Sequence, residues 1–439
     1  MSAEDFVEFI NKTGSPYHTV AASVELLEKH GFSRLYETQP WSLAPESKHY
    51  VVRNYSAIYA FVTPRVSPSS LVISASHTDS PCLRVRPNSN QKADGHLLLG
   101  VETYGGGSWH TWFDRGLGFC GKVIVNVDGS LAERLVRVSD PVCLVPNLPI
   151  HLKSADERAA FKVNPESELR PVIAMSGSYP EGDRFSPPLL DILAQELDVA
   201  AKDIVDVDLC LFDPTPAEFV GARKEFILSG RIDNVACTWA TLQSLCEVRP
   251  SDIKSLVVGV SFDHEEIGSK SWVGADSSLL STLLRKTTEA LNLDLDILIR
   301  RSVLLSGDMA HAFHPNYASK YQSEHKCLAG QGVVVKENVN QRYTTQATTM
   351  AFMRSVCLRT SPPVPLQDFV VRNDSPCGST IGPLSSSRLG VMAIDFGGPM
   401  WAMHSCRESC SAADVVSCKR VCEGFFVHFQ DVLDSTMTL

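Results

Sequence analysis

The stretch LVVGVSFDHEEIG, residues 256–268, gives the strongest indication of the fold class in this chain of 439 residues. Its first seven residues form a continuous, largely apolar run, which is typical of a strand covered by helices on both faces of a parallel sheet. The acidic and imidazole side chains of Asp263 to Glu266 follow at once. Because ligands bind beyond the carboxyl ends of strands in open α/β sheets, the stretch predicts an α/β domain with a ligand site at this strand end.

Three further apolar runs show the same pattern. They are LVISA (71–75), VLLS (303–306) and VMAIDF (391–396). Chemically useful side chains follow each run: His77 and Asp79 after the first, Asp308 after the second and His404 after the third. We therefore expect the four strand ends to converge on one site, with helices packed on both faces of the sheet as an α/β/α sandwich.

The residue pattern of the sequence changes between residues 88 and 212. Strand-like, turn-rich pieces dominate there, such as GKVIVNVDGSLAERLVRV (121–138), in which Asp128-Gly129 is a hairpin-turn signal. We predict a β-rich domain of residues 88–212 inserted into a catalytic α/β domain formed by residues 1–87 and 213–439.

Composition excludes several classes of protein. Hydrophobic residues make up 44% of the chain and charged residues 21%, which excludes global disorder, and the net charge is −10 without a basic run. No apolar stretch reaches the roughly 18 residues of a membrane span, and the N-terminus lacks the features of a signal peptide. We expect a cytoplasmic protein that binds neither nucleic acid nor membrane.

The cysteines give little indication of function. There are 13 of them, an odd number in a chain too large to need disulfides, so reduced thiols are the simplest interpretation. The pairs Cys406/Cys410 and Cys418/Cys422 are each four residues apart. We predict that both pairs pack within a C-terminal helix and that neither forms a zinc finger.

The candidate site residues match the ligand preferences of zinc. One further motif, RIDN (231–234), adds an aspartate to those at the strand ends. Two imidazoles, three carboxylates and no thiolate fit a pair of zinc ions, which hydrolases hold about 3.5–4 Å apart. The set is His77, Asp233, Glu266, Asp308 and His404.

Each motif taken alone also has an ordinary structural interpretation. A single histidine at a strand end is commonly a hydrogen-bonded structural residue, and Glu265-Glu266 would suit a solvated loop that opens a helix, where the dipole favours carboxylates. The functional alternative is that one glutamate binds a metal while its neighbour acts as general base on a water molecule. The residues alone leave these alternatives open.

Eight motifs in order along the chain resemble those of a known family. They are SASHTDSPCLRVRP (74–87), VETYGGGSWHTWFDR (101–115), RIDNVACTW (231–239), DHEEIGS (263–269), SGDMAHAFHPNY (306–317), NQRY (340–343), RNDSPCGSTIGP (372–383) and MHSCRE (403–408). This set is similar to the aspartyl aminopeptidase family of dinuclear zinc metallopeptidases. The resemblance covers nearly the whole chain and implies a zinc-peptidase catalytic domain with an inserted dimerisation domain.

The resemblance also implies a role for each site residue. One zinc would be held by His77 and Asp308, the other by Glu266 and His404, with Asp233 bridging the two. Glu265 would be the general base, and Asp79 would hold the His77 ring in the required tautomer. The implied reaction is hydrolysis of the N-terminal acidic residue, Asp or Glu, from a peptide.

Recognition of an acidic side chain requires a cation and a hydrogen-bond donor. A lysine and a tyrosine seven residues apart serve this purpose in the family, and Lys336 and Tyr343 match that spacing in VVVKENVNQRY (333–343). Without the motif match, a lysine is ordinarily a solvated surface residue.

The resemblance further implies an assembly. His151, in LPIHL (148–152), matches a histidine that reaches from the inserted domain into a partner subunit's active site. The family builds a homododecamer from dimers. A structural histidine is the ordinary alternative for this position.

Two other functions remain open from the sequence. One is an aminopeptidase of the same family that prefers neutral N-terminal residues. The other is a scaffold or transport cargo that has lost catalysis, although the five ligand candidates and Glu265 are all present, which weighs against it.

Overall fold

The computed structural model of the chain describes residues 2–436. The strands are β1 (Ser33–Arg34), β2 (Lys48–Arg53), β3 (Ala57–Val62), β4 (Leu71–His77), β5 (Cys82–Ala93), β6 (His96–Tyr104), β7 (Gly116–Val127), β8 (Ser130–Leu144), β9 (Val172–Met175), β10 (Ile204–Phe212), β11 (Glu218–Val220), β12 (Phe226–Ser229), β13 (Leu256–Phe262), β14 (Val303–Gly307), β15 (Ala310–His311), β16 (Val333–Lys336), β17 (Leu366–Phe369), β18 (Met392–Gly397), β19 (Pro399–Trp401) and β20 (Glu408–Ser411).

The α-helices are α1 (Ala3–Asn11), α2 (Pro16–Lys29), α3 (Ala155–Ala159), α4 (Pro165–Glu168), α5 (Pro187–Leu197), α6 (Ile232–Glu247), α7 (Leu279–Ala290), α8 (Leu295–Ile299), α9 (Ala347–Arg359), α10 (Ile381–Leu389) and α11 (Ala412–Thr436). Short 3₁₀ helices span Trp109–Trp112, Ile150–Leu152, Ser176–Ser178, Ala201–Asp203, Glu265–Ile267 and Pro315–Lys320. Across residues 2–436, no helix combines the length and the apolar character needed to cross a membrane.

A nine-stranded sheet forms the centre of the α/β domain, in the order β1-β2-β3-β13-β4-β14-β18-β16-β17. The four apolar runs singled out in the sequence are neighbours within it, and β13 with β4, β4 with β14 and β14 with β18 are all parallel. Every residue of β4, β13 and β14 is buried, as expected for strands covered on both faces.

Helices cover both faces of this sheet and give an α/β/α sandwich, as predicted. On one face, α1, α6, α9 and α11 contribute to one apolar cluster that includes Phe6, Trp239 and Phe425. On the other face, α7, α8 and α10 contribute to a second cluster that includes Leu283 and Ile381. The sheet is therefore buried between two helical layers.

The β-rich region forms a closed barrel with the strand order β10-β5-β6-β9-β8-β7. The hairpin signal Asp128-Gly129 joins β7 to β8, and both residues have positive φ, as this tight turn requires. Strand β5 begins at Cys82 and runs to Ala93. The barrel confirms an inserted β-rich region, whereas the exact bounds 88–212 stay a prediction.

A third sheet, β11-β12-β20-β19-β15, was not expected from the sequence. It contradicts part of the cysteine prediction, because Cys410 lies in β20 and Cys406 lies in the loop before it. Only Cys418 and Cys422 lie in α11. The four-residue spacing suggested a helix, but main-chain pairing of β20 with β12 and β19 prevails. All 13 cysteines, each within residues 2–436, are free.

Candidate metal centre

The candidate ligands lie at the carboxyl edge of the central sheet. His77 is the last residue of β4, and Asp308 follows β14 directly. Glu265 and Glu266 lie in the 3₁₀ turn after β13, and His404 lies between β19 and β20. Asp233 comes from the start of α6, outside the regular helical backbone. The predicted convergence of the strand ends therefore occurs, and α6 adds one further side chain.

Two triads of ligand atoms share one carboxylate. One triad comprises His77, Asp233 and Asp308, and the other comprises Asp233, Glu266 and His404. Within each triad the ligand atoms lie within 4.8 Å of one another. A third group of the same kind combines His77 with Glu265 and Glu266. Asp233 thus stands between two potential metal positions.

The two oxygens of Asp233 face different imidazoles. Oδ1 lies 3.6 Å from Nε2 of His77, and Oδ2 lies 3.3 Å from Nε2 of His404. Glu266 Oε1 is also 3.3 Å from His404 Nε2, and Asp308 Oδ1 is 3.8 Å from His77 Nε2. A carboxylate with one oxygen directed to each side has the arrangement of a bridging ligand.

The donor set fits zinc. Two ligand atoms of a tetrahedral zinc ion lie about 3.4 Å apart, given bonds of about 2.0–2.2 Å, and the distances above scatter around that value. They exceed the range of good hydrogen bonds. Asp233 Oδ1 and Glu266 Oε1 are buried and have no hydrogen-bond partner, so both oxygens remain free to bind a cation.

Without a bound cation, burial and the nearness of other charged groups shift the pKa values of the side chains in this cluster. Burial raises the pKa of Glu266 to about 7 and that of Glu265 well above its usual range. Burial alone would lower the pKa of His404, but the carboxylates of Asp233 and Glu266, each 3.3 Å from its Nε2, raise it to about 12. Such a cluster requires compensating positive charge, which divalent cations would supply.

Asp79 organises the loops on the His77 side. The Nδ1 atom of His77 lies 3.0 Å from the main-chain oxygen of Asp79 and 3.3 Å from its Oδ1. Both neighbours are acceptors, so Nδ1 carries the proton and Nε2 is left free to bind a metal. The Asp79 carboxylate also accepts hydrogen bonds from the main-chain N–H groups of Glu265 and Glu266, each at 3.1 Å.

The barrel supplies the corresponding support on the His404 side. His404 Nδ1 lies 3.0 Å from the main-chain oxygen of Gly106, and the Ser108 N–H donates to the His404 oxygen at 2.8 Å. A Cβ atom at Gly105 would approach Cβ of Glu266 to 3.2 Å, and Gly105 has φ +73°. Glycine is needed there because the loop passes so close to a candidate ligand.

Left-handed backbone conformations flank the candidate ligands. Arg231, His264 and His404 each have φ +65°. A non-glycine residue in this region costs on the order of 1–3 kcal/mol, and such residues cluster at functional sites. Here they turn the chain sharply beside Asp233, Glu265 and the His404 imidazole.

Lys336 and Tyr343 lie beside the triads. Lys336 is the last residue of β16 and only 3% exposed, so it is not the solvated lysine of the ordinary interpretation. Its Nζ donates to the main-chain oxygen of Met309 at 2.9 Å and lies 3.8 Å from Asp308 Oδ2. The Tyr343 ring centroid is 5.4 Å from Nζ. The ammonium group and the phenol ring thus lie side by side, with Nζ next to Asp308.

His151 is not among the clustered side chains. It lies on the barrel in the 3₁₀ helix Ile150–Leu152 and is exposed, as are Ile150 and Leu152. Within a single chain the structure gives it no contact with the triads. Its predicted role in a partner's site stays a prediction.

Three contributors to the site were missed at the level of sequence: Glu408, Tyr104 and the Gly106 carbonyl. Glu408 accepts hydrogen bonds from the main-chain N–H groups of Asp233 and His404, and the Tyr104 hydroxyl donates a hydrogen bond to Asp79. Both side chains lie within motifs quoted above, MHSCRE and VETYGGG. In the sequence, only the nearness of Glu408 to His404 and of Tyr104 to the glycine run could have indicated their roles. The role of a main-chain carbonyl cannot be recognised from a residue pattern.

An α/β/α sandwich that gathers imidazoles and carboxylates at its parallel strand ends is the architecture of a metal-dependent hydrolase. The family model described as "Aminopeptidase I zinc metalloprotease (M18)" matches residues 9–426. The chain belongs to this M18 family and is an aminopeptidase of the zinc metallopeptidase class.

Similar proteins agree with this assignment. An aspartyl aminopeptidase of Caenorhabditis elegans is 40% identical over 458 residues, which cover 99% of this chain and 97% of the relative. A cryo-EM structure of the Ape4 and Nbr1 complex matches with a TM-score of 0.95 and 37% identity, covering 100% of this chain and 87% of that chain. The structure of the S. cerevisiae mApe1 dodecamer matches with a TM-score of 0.88 and 26% identity, covering 100% and 99%.

Proposed function

We propose that this aminopeptidase removes an N-terminal acidic residue, Asp or Glu, from peptides at a centre that holds two zinc ions. The observation that carries the proposal is the position of Asp233, whose two oxygens face His77 and His404 on opposite sides. A single metal would need only one of the two triads. A carboxylate shared by both triads favours a dinuclear centre.

The residues divide between two metal positions. His77 and Asp308 would hold one zinc, Glu266 and His404 the other, and Asp233 would bridge them. When bound, the zinc ions would lower the pKa of a water molecule and polarise the scissile carbonyl. The protein's part is to hold the donors in place, which Asp79 and Gly106 do by accepting hydrogen bonds from the Nδ1 atoms of the two imidazoles.

Glu265 is the proposed general base. Its Oε2 lies 3.9 Å from Nε2 of His77, close to the centre, but Glu265 belongs to neither triad that contains Asp233. A carboxylate in this position can take the proton of the attacking water and pass it to the leaving amine. Burial, which raises its pKa, strengthens it as a proton acceptor.

Preference for an acidic residue would come from Lys336 and Tyr343. The Lys336 ammonium group is buried, and besides the Tyr343 ring its partners found among the described residues are the Met309 oxygen and Asp308. A substrate carboxylate at Lys336 would gain a charge-assisted hydrogen bond, with the Tyr343 hydroxyl as a second donor. The relative from C. elegans is named an aspartyl aminopeptidase, which supports this specificity.

The catalytic unit would be an assembly. A solved relative is a dodecamer, which supports a homododecamer built from dimers for this chain. The barrel would act as the dimerisation domain, since it exposes Leu148, Ile150, Leu152 and Phe161 around His151. In that arrangement His151 would reach the active site of a partner subunit and contact its substrate.

A substrate panel with metal analysis tests the proposed function. Zinc-loaded enzyme should release Asp and Glu from dipeptides much faster than Leu or Ala, and removal of zinc by a chelator should abolish turnover. Readdition of zinc is the control for irreversible damage. Equal rates on neutral and acidic substrates would overturn the specificity, and full activity after chelation would overturn the metal mechanism.

A further inference from the structure

Glu408 is a buried carboxylate that the proposed mechanism leaves without a role. It is the first residue of β20 and is 2% exposed. Its two oxygens accept hydrogen bonds from two different segments of the chain. Oε2 accepts the main-chain N–H of Asp233 at 3.0 Å, and Oε1 accepts that of His404 at 2.7 Å.

Neither of these N–H groups has a regular secondary-structure partner. Asp233 stands at the non-helical start of α6, where the first N–H groups of a helix have no intrahelical acceptor. His404 has φ +65° and lies between β19 and β20. The Glu408 carboxylate therefore supplies the main-chain hydrogen bonds that the fold does not provide at these two positions.

The burial of Glu408 is costly in itself. Within residues 2–436, no ion pair involves this carboxylate. A buried charge without a counter-ion is unfavourable unless hydrogen bonds and nearby positive charge compensate for it. The two hydrogen bonds are present, the buried guanidinium of Arg231 supplies positive charge nearby, and the proposed metal centre would add to it.

We propose that Glu408 is a positioning residue of the metal centre, which fixes the main chains of Asp233 and His404 at the separation that zinc binding requires. This inference rests on the proposed function, because it assumes that Asp233 and His404 bind zinc. Asp233 would be the bridging ligand, so one carboxylate would set the geometry of both metal positions. Residues that orient ligands in this way commonly contribute a factor of 10–100 to metal affinity.

Replacement of Glu408 by glutamine provides the test. Glutamine has nearly the same shape but a single acceptor oxygen, so it can keep at most one of the two hydrogen bonds. The Glu408→Asp variant keeps the charge but is one methylene shorter, and it guards against a folding failure in the first variant. Both variants should bind zinc about 10–100-fold more weakly than the wild-type protein.

Asp414 provides a matched control. It is also a buried carboxylate that accepts two main-chain N–H groups, those of Gly330 at 2.6 Å and Gly332 at 2.9 Å. It lies six residues further along the chain, in α11, and within residues 2–436 it has no hydrogen bond or ion pair with a candidate ligand. Asp414→Asn should therefore lower the melting temperature of the zinc-free protein, as Glu408→Gln should, but without changing zinc affinity.

The measurement is a zinc titration of the full-length protein against a competing chelator, well below the melting temperature of every variant. Weaker zinc binding in the Glu408 variants alone would support the inference. Wild-type affinity in both Glu408 variants, or an equal loss in Asp414→Asn, would overturn it while leaving the proposed function intact. A wild-type protein that binds no zinc would overturn both.

Discussion

The hydroxyl of Tyr104 donates a 2.7 Å hydrogen bond to Oδ2 of Asp79. Tyr104 ends a strand of the barrel, whereas Asp79 lies at the carboxyl edge of the central sheet. The same Asp79 carboxylate holds the main chain of Glu265 and Glu266 and lies 3.3 Å from the His77 ring. The barrel is therefore tied directly to the group that orients the proposed base and ligands.

Replacement of Tyr104 by phenylalanine should weaken the site. A hydrogen bond to a charged group contributes about 1.5–3 kcal/mol, and its loss leaves Asp79 less firmly held. We expect kcat/KM to fall by about tenfold or more, with most of the change in kcat. Steady-state kinetics of the purified variant provide the measurement.

Tyr50→Phe is the matched control for this prediction. It also removes a phenol–carboxylate hydrogen bond, from Tyr50 to Glu28 at 2.6 Å, away from the candidate centre. It should change stability without changing kcat. Equal kinetic losses in the two variants would contradict a specific role for Tyr104.

Replacement of Glu265 by glutamine should separate metal binding from proton transfer. A general base contributes roughly 10²–10⁴-fold to the rate, and glutamine cannot accept the proton. We expect turnover to fall by that factor while the zinc content stays at the wild-type value. Glu196→Gln, an exposed change on α5, serves as the control. A Glu265→Gln variant that retains more than about a tenth of wild-type turnover would refute the assignment of the base.

Replacement of Lys336 by methionine should change substrate specificity more than the rate of the hydrolysis step itself. Loss of a charge-assisted hydrogen bond of about 1.5–3 kcal/mol corresponds to roughly 10–100-fold in kcat/KM for an Asp substrate. A neutral substrate should be affected far less. Tyr343→Phe, which removes only the hydroxyl, should give a smaller change in the same direction. An unchanged ratio of Asp to Leu turnover in Lys336→Met would exclude Lys336 as the residue that recognises the acidic side chain.

The lowered pKa of the buried His18 imidazole predicts how the free energy of unfolding depends on pH. Burial lowers the pKa of His18 to about 4, and the positive charges of Arg137 and Arg231 act in the same direction. As pH falls from 6.5 to 4, the unfolded chain takes up a proton that the folded chain does not, so the folded state loses up to about 3 kcal/mol.

A His18→Gln variant cannot take up this proton, so it should lose less stability than the wild-type protein over the same pH range. Denaturant unfolding at pH 7 and at pH 4.5 measures the difference, and all other titrating groups cancel in the comparison. Parallel pH profiles of the two proteins would show that His18 does not contribute.

The central sheet was predictable because each of its main strands has a residue pattern typical of a buried strand. Leu71–His77 and Leu256–Phe262 are short and largely apolar, which is the pattern of strands buried on both faces. The sheet that contains β20 could not be predicted in this way. Its strands are two to four residues long, and their pairing depends on where the rest of the chain brings them together.

The same division applies to the site. His77 ends an apolar strand and Glu266 and Asp308 follow two others, so their convergence was predictable from the sequence. Glu408 and the Gly106 carbonyl act through main-chain geometry, which a residue pattern does not encode. His151, the domain bounds and residence in the cytoplasm stay predictions.

Asp233 is proposed to bridge the two metal positions, because its two oxygens face His77 and His404. Asparagine at this position has the same shape but one acceptor oxygen, so it can serve only one metal position. The most direct test is the zinc content of wild-type protein and of Asp233→Asn, each loaded with excess zinc and then dialysed. We predict about two zinc ions per wild-type chain and no more than about one in the variant, because the shared carboxylate holds both ions. A wild-type chain with a single zinc ion, or a variant that retains the wild-type content, would contradict the claim.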